Sequence, residues 1–357
     1  MRNLSVVHRL RSSRSADRYA IWRMTHPGLR PGWFVLGVLL VGSFVAVAIA
    51  VASRTATSSA PIVLLVVSVV GTVVVSGLLG AVHRSIVPLS LASAISWVAW
   101  RWSADLVGGP LSGPFGYRNA FGAFLFLGAA AWLIGGLAMR SRLATGVSIV
   151  PAAVLGALAV RSSSAAAAGV ALVVVAASIG WLSSRAARTA VTISAAATLM
   201  VLALTVWLGV SFDSARPPTG LAAAIVDAGI TERRLALWHD ALEITEATPS
   251  GIGHGAFATT SPTALDDRDT IYAHNEFLET SAELGVAAAA LLVLLVGWAF
   301  VRLAVTRHAD VVTAVAAAAL AGSTIQASVD YVWHFPAIPL AAAALVGTGF
   351  VGRRDDR

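Results

Sequence analysis

Ten apolar runs dominate this chain, most of them near twenty residues long: 33–53, 61–82, 85–100, 119–139, 143–160, 164–182, 189–210, 284–301, 309–328 and 336–352. About 20 apolar residues in a helix cross the hydrocarbon core of a bilayer, and a helix satisfies its own backbone there. The runs predict an all-α polytopic membrane protein with about 10 transmembrane helices. The third run is short and interrupted by Pro88. Only 12% of the 357 residues are charged, roughly half the share usual in a soluble domain. There is no Cys, which excludes disulfides, thiolate nucleophiles and Cys-based metal sites.

Charge sets the expected orientation. All 25 basic residues are Arg, and seven of them precede the first apolar run. That run is too long for the apolar region of a secretory signal, so residues 1–32 read as a basic cytosolic tail. With this tail inside, 17 of the 25 Arg fall in inner segments, as the positive-inside rule requires. The net charge of +7 follows from that rule and carries no implication of nucleic-acid binding. Both termini are then cytoplasmic, and dropping the weak third run would spoil the alternation. The expected organisation is seven transmembrane helices in 33–210, an extracytoplasmic catalytic loop at 211–283, three more helices in 284–352, and a cytosolic tail at 353–357.

The long loop holds 12 of the 18 acidic residues and four Arg. Most of the chemically capable groups therefore face outward, away from ATP, which disfavours a kinase or a nucleotide-sugar transferase. Within the loop, Leu235, Leu237, Trp238, Ala241, Leu242 and Ile244 give an amphipathic helix over Thr231 to Ala247, with Thr231 as N-cap. Arg234 and Trp238 stand four residues apart, on one face. Pro249 ends the helix, and Gly251-Ile-Gly253-His-Gly255 follows. Such a glycine cluster is either a simple turn or a place where backbone N–H groups approach an anion.

The chain then returns through Tyr272-Ala-His-Asn into a helix that ends near Gly285, with Glu276, Glu279 and Glu283 on one face. His274 sits at its start. Imidazole exchanges protons near neutral pH and suits a general base acting on a hydroxyl. The alternative is that His274 only caps the helix or meets a lipid headgroup. His239 reads as solvated, and His254 and His334 as interfacial hydrogen-bonding groups. The histidines are scattered and no HExxH occurs, so no metal site is expected. The carboxylates at 265–269 lack the EF-hand pattern. Arg101, Arg118, Arg161, Arg233 and Arg234 lie at outer helix ends, where Arg either snorkels toward headgroups or clamps phosphate. Gly113-Pro-Phe-Gly-Tyr-Arg-Asn-Ala-Phe-Gly122 is a glycine-interrupted entry to the fourth run, with Asn119 near its start.

In this order, the Gly-rich entry with Asn119, Arg234-Leu-Ala-Leu-Trp238, Pro249-Ser-Gly-Ile-Gly253, and His274-Asn275 followed by nine residues and Gly285 resemble the O-antigen ligase and O-antigen polymerase superfamily of bacterial membrane glycosyltransferases. The likeness covers about residues 110–290 by motif and the whole chain by topology. It implies transfer of a glycan from undecaprenyl pyrophosphate to an acceptor hydroxyl on the outer face of the cytoplasmic membrane. The acceptor would be borne by a lipid or a glycan. No cofactor, nucleotide or metal is implied. By the resemblance, His274 activates the acceptor and Arg234 binds the diphosphate, with Arg161 or Arg118 as a second clamp. Asn275, Trp238, Gly251, Gly253 and Asn119 are supporting. Two positions depart from the family pattern. Many members carry Ser-Arg in a middle span where this chain has Arg161-Ser-Ser-Ser164, and Ala288 stands where a Gly often follows Gly285. The alternatives are a polysaccharide polymerase of the same superfamily, or a transporter or flippase of lipid-linked glycans. The absence of a clear repeat and of charge inside the runs speaks against transport.

Overall fold

The computed structural model describes residues 31–55, 57–58, 60–102, 111–213, 219–227, 230–266 and 270–351. Most of the basic tail read at 1–32, the closing tail at 353–357, and 267–269 of the acidic stretch lie outside the described residues. Among the described residues every regular element is helical.

Each apolar run coincides with one helix. These are α1 (Pro31–Thr55), α2 (Ala60–Val82), α3 (Ile86–Arg101), α4 (Arg118–Ala138), α5 (Arg142–Ser162), α6 (Ser164–Gly180) and α7 (Ser184–Ser211). In the loop follow α8 (Leu221–Asp227), α9 (Glu232–Ala247), α10 (Phe257–Thr260), α11 (Pro262–Leu265) and α12 (Glu276–Leu284). The chain closes with α13 (Val286–Ala304), α14 (Val311–Val329) and α15 (Ala337–Gly349), with short 3-10 turns at Gly113–Phe115 and Val332–His334. Among the described residues, seven helices (α1, α2, α4, α5, α7, α13 and α14) are long and apolar enough to cross a membrane, whereas α3, α6 and α15 are apolar but shorter.

The bundle is built around α14 and α4. In α14, 89% of the most apolar stretch is buried, against 6% in peripheral α2. The sequence explains the difference. α14 is dominated by Ala, Gly, Ser and Thr, and small side chains let helix backbones approach closely where lipid supplies no hydrophobic drive. A Cβ added at Gly322 of α14 would lie 2.9 Å from the Cα of Gly169 in α6, and one at Gly180 would lie 2.8 Å from the Cβ of Ala314. α2 is rich in Val and Leu, side chains that an apolar solvent accepts.

One sequence boundary moves. The eighth run ends at 301, with Arg302 expected in the following inner segment. Instead α13 continues to Ala304, and Arg302 is buried with its guanidinium carbon 5.3 Å from the centre of the Phe350 ring. Cation–π contact and packing of the apolar stem carry the charge inside the helix end.

The loop has its own small core. Leu235, Leu237, Trp238 and Ala241 of α9 pack with Phe257, Ala273, Leu278 and Ala282, and with Leu208 at the end of α7. This core binds the loop helices to the bundle end that carries the starts of α4 and α15.

Candidate active site

Thr231 caps α9, its side chain accepting from the backbone N–H of Arg234. One turn of that helix does two jobs. Arg234 Nη2 reaches Asp330 Oδ2 at 3.2 Å, and Trp238 Nε1 donates to the His274 carbonyl oxygen at 3.2 Å. The Arg-x-x-x-Trp spacing thus places both side chains on one face, against the same strip of structure.

His274 is held in an uncommon backbone conformation, with φ of 52°. Non-glycine residues seldom occupy this region, and those that do cluster at functional sites. The bond from Trp238 and the capping of the next residue hold it there. Asn275, not His274, caps α12: its Oδ1 accepts from the N–H groups of Phe277 and Leu278, each at 3.1 Å. At the far end Gly285 leaves the helix with φ of 88° and ψ of 166°, a region open essentially only to glycine. The nine residues between Asn275 and Gly285 are α12 itself.

The imidazole of His274 reaches the end of α14. Its Nδ1 lies 3.0 Å from Oδ1 of Asp330, the residue that follows α14. Asp330 has no role in the sequence reading, yet it is the hub of the site. Its carboxylate also accepts from the Tyr117 hydroxyl at 2.7 Å, from Asn119 Nδ2, from Arg234, and from the backbone N–H of Tyr331 at 2.9 Å. A carboxylate accepts and cannot donate, so Nδ1 carries the hydrogen of the His274–Asp330 bond. In the neutral ring that tautomer puts the lone pair on Nε2, and 12% of the side chain is exposed. Burial alone would raise the Asp330 pKa, but the His274 hydrogen bond and the Arg234 charge outweigh it and hold the carboxyl below its ordinary range. Burial and the Asp330 charge push the Tyr117 hydroxyl upward, and they push Tyr331 up to about 12. Both phenols therefore stay protonated as donors.

Tyr117 stacks on Tyr331 with ring centres 4.6 Å apart, and Tyr272 lies 4.7 Å from Tyr331. The ring of His274 meets Tyr331 edge-on at 4.7 Å. Arg118, next in chain to Tyr117, donates through Nη2 to the Arg161 carbonyl oxygen at 2.6 Å. The two arginines proposed as alternatives for a second clamp are therefore neighbours at the same end of the bundle. Arg233 faces elsewhere, with Nη2 on the Thr263 carbonyl at 2.8 Å.

Four of the five N–H groups of the glycine turn are engaged within the chain. Those of Gly251, Ile252 and Gly253 donate to the carbonyls of Thr248, Ala282 and Glu283. Gly255 and Phe257 donate to the carboxylate of Glu283 at 2.8 and 3.1 Å. The anion met by this turn is the chain's own side chain. A Cβ at Gly251 would fall on the Glu283 carbonyl oxygen, and one at Gly253 would lie 2.7 Å from Thr55 Oγ1, so both glycines serve close packing.

The other histidines are engaged as well. His254 Nδ1 lies 3.1 Å from Glu283 Oε2, a hydrogen bond that raises its pKa. His334 bridges Glu276 at 2.9 Å and Glu279 at 3.1 Å. Burial would discharge this ring, but the two flanking carboxylates reverse that and push it up to about 12. His239 is not simply solvated: it meets the Gly209 carbonyl oxygen at 3.1 Å and Glu243 at 3.3 Å. Ala288, where the family pattern has Gly, is fully buried beside Phe44, Ala48 and Val51.

An all-helical protein of membrane type, with a carboxylate-oriented imidazole and arginines at one end of its bundle, is the class that this fold and site define. Residues 147–293 match the family model described as O-Antigen ligase, and that match supports a likeness of this segment to the O-antigen ligase-like superfamily. The matched segment contains Arg161, Arg234, Trp238, the glycine turn and His274. Tyr117, Asn119 and Asp330 lie outside it. No curated protein matches the chain.

Proposed function

We propose that this protein is a membrane glycosyltransferase of ligase or polymerase type. It moves a glycan from undecaprenyl pyrophosphate to an acceptor hydroxyl on the outer face of the cytoplasmic membrane, within surface-polysaccharide assembly. The observation that carries the reading is the bond from His274 Nδ1 to Asp330, which orients Nε2 as a base. This is the logic of the hydrolase triads, where a carboxylate fixes the tautomer of the histidine that takes the proton.

In the proposed step the acceptor O–H gives its proton to Nε2, and the oxygen forms a bond to the anomeric carbon. The bond from that carbon to the diphosphate oxygen breaks, and undecaprenyl pyrophosphate leaves with the electron pair. Arg234, with Arg118 and Arg161 nearby, meets the charge on the leaving group. Guanidinium suits this because it forks onto phosphate oxygens. In the same reading all ten apolar helices span the membrane, both termini are cytoplasmic, and the 211–283 segment is extracytoplasmic. The acceptor belongs to a lipid or a glycan, and no nucleotide or metal takes part.

The test is a reconstituted assay with lipid-linked donor. His274→Ala abolishes glycan transfer and leaves the protein in the membrane; full activity in that variant sinks the base assignment. Unaffected transfer combined with lost movement of the donor lipid across the bilayer would favour a transporter instead.

A further inference from the structure

Three polar atoms stand beside the Asp330 hub with no use inside the fold. Among the described residues, none bonds the Tyr272 hydroxyl, Oε2 of Glu276 or Nε2 of His274. All three side chains still reach solvent. Tyr272 is half-buried, and 13% of the Glu276 side chain and 12% of His274 are exposed. One ring joins them. Tyr272 and His274 each lie 4.7 Å from the centre of Tyr331, the imidazole edge-on. The Tyr272 ring also packs 4.3 Å from His334, whose Nδ1 meets Oε1 of Glu276 at 2.9 Å. The backbone between Tyr272 and His274 is fixed, because the Ala273 N–H donates to buried Glu279 at 2.8 Å.

Aromatic side chains collect at headgroup depth in membrane proteins, as exposed Trp97 and Trp100 of α3 would. That rule does not account for tyrosines that face one another around a buried carboxylate, nor for the polar atoms beside them. A pyranose does fit them. It offers a patch of C–H groups on one face and hydroxyls around its edge. The face of an aromatic ring is its negative region and attracts C–H groups, while a carboxylate oxygen and a phenol bond the edge hydroxyls. The two oxygens of Asp330 also divide the site. Arg234 meets Oδ2 and His274 meets Oδ1, so Tyr272 shares the flank of the base. We propose that Tyr272, with its ring and hydroxyl, and Glu276, through Oε2, bind a pyranose ring of the acceptor beside Nε2 of His274. The acceptor hydroxyl then belongs to a sugar. This inference rests on the transfer reaction proposed above.

The test reads free sugars on the full chain in lipid nanodiscs, where no sugar-based detergent competes. Glucose, galactose, mannose, rhamnose and N-acetylglucosamine are titrated without donor, and saturation-transfer NMR reports which ring protons touch the protein. Wild type saturates protons on one face of at least one of these pyranoses. Tyr272→Leu weakens that binding about five-fold, the scale of one aromatic contact, and Tyr272→Phe about two-fold, through the lost hydroxyl bond. Trp100→Leu, which removes an exposed ring from the last turn of α3, leaves binding at the wild-type level. No saturation by wild type, unchanged binding in either Tyr272 variant, or an equal loss in Trp100→Leu overturns the proposal. Because no transfer is needed, the two readings fail separately. Tyr272-dependent binding beside a fully active His274→Ala variant removes the base and keeps the sugar subsite. Tyr272-independent binding beside an inactive His274→Ala variant does the reverse.

Discussion

His274 Nδ1 and Asp330 Oδ1 lie 3.0 Å apart although 56 residues separate them in the chain. The imidazole comes from the loop and the carboxylate from the end of the most buried helix, so the ring is oriented by the bundle rather than by its own segment. Asp330→Asn keeps the shape and removes the charge. Transfer is expected to fall by at least about 10²-fold, within the usual contribution of acid–base groups. A second readout separates orientation from folding: the variant should elute as monodisperse protein in detergent while its kcat falls. An Asn variant with wild-type rate would remove Asp330 from the mechanism.

Arg234 touches Asp330 through one nitrogen only, which on the proposed reading leaves the rest of its fork for the donor. Arg234→Ala should raise the KM for lipid-linked donor about ten-fold or more, in line with the loss of a charge-assisted bond. Arg188→Ala, at the opposite end of α7, should change it little. Equal effects in steady-state kinetics on the two variants would argue against a specific diphosphate clamp.

His334 ties the turn after Asp330 to α12 through Glu276 and Glu279. Its folded pKa, pushed up to about 12, lies above the ordinary imidazole value near 6.5. The associated stability is therefore complete below about 6.5 and is lost as pH rises toward the folded value. Thermal melts of wild type and His334→Gln in the same detergent should differ most near pH 6, and the gap should narrow steadily as pH rises toward 10. A gap that is constant with pH, or that widens, contradicts the charged bridge.

Gly251 and Gly255 both have positive φ, at 87° and 79°, but an added Cβ meets the Glu283 carbonyl oxygen at the first and open space at the second. Gly255→Ala should cost about 1–2 kcal/mol from backbone conformation alone. Gly251→Ala should cost distinctly more, seen as a lower melting temperature and a poorer yield of monodisperse protein. Equal stability in the two variants would mean that the turn is not packed as described.

The sequence was most readable where one physical requirement acts locally. A run of about twenty apolar residues in lipid has one backbone solution, and each of the ten runs falls on a helix. Thr231 caps α9 as its hydroxyl and position indicate, and His-Asn-x9-Gly reads out as a capped nine-residue helix. Contacts between distant segments were not readable in that way. Asp330 is a lone acid at a helix end, and nothing in its neighbourhood announces Tyr117, Asn119, Arg234 and His274 as its partners. The available signal was its isolation: it is the one acid between Asp310 and Asp355, beside a long apolar helix, where an ionisable group needs a reason to exist. The glycine turn misled for a related reason. Its spacing suits an anion, but the anion is Glu283, which only the fold brings there.

The Asp330 hub also fixes when the protein can become competent during synthesis. Tyr117 is made 213 residues before the carboxylate it bonds, and the loop with His274 is complete well before α14 emerges. A nascent chain that has already displayed its histidine and arginines still lacks the group that sets the tautomer. On the proposed reading, competence arrives only once Asp330, just past α14, has been made, so an unfinished chain holds a disarmed site, and the loop excised from the bundle would remain disarmed.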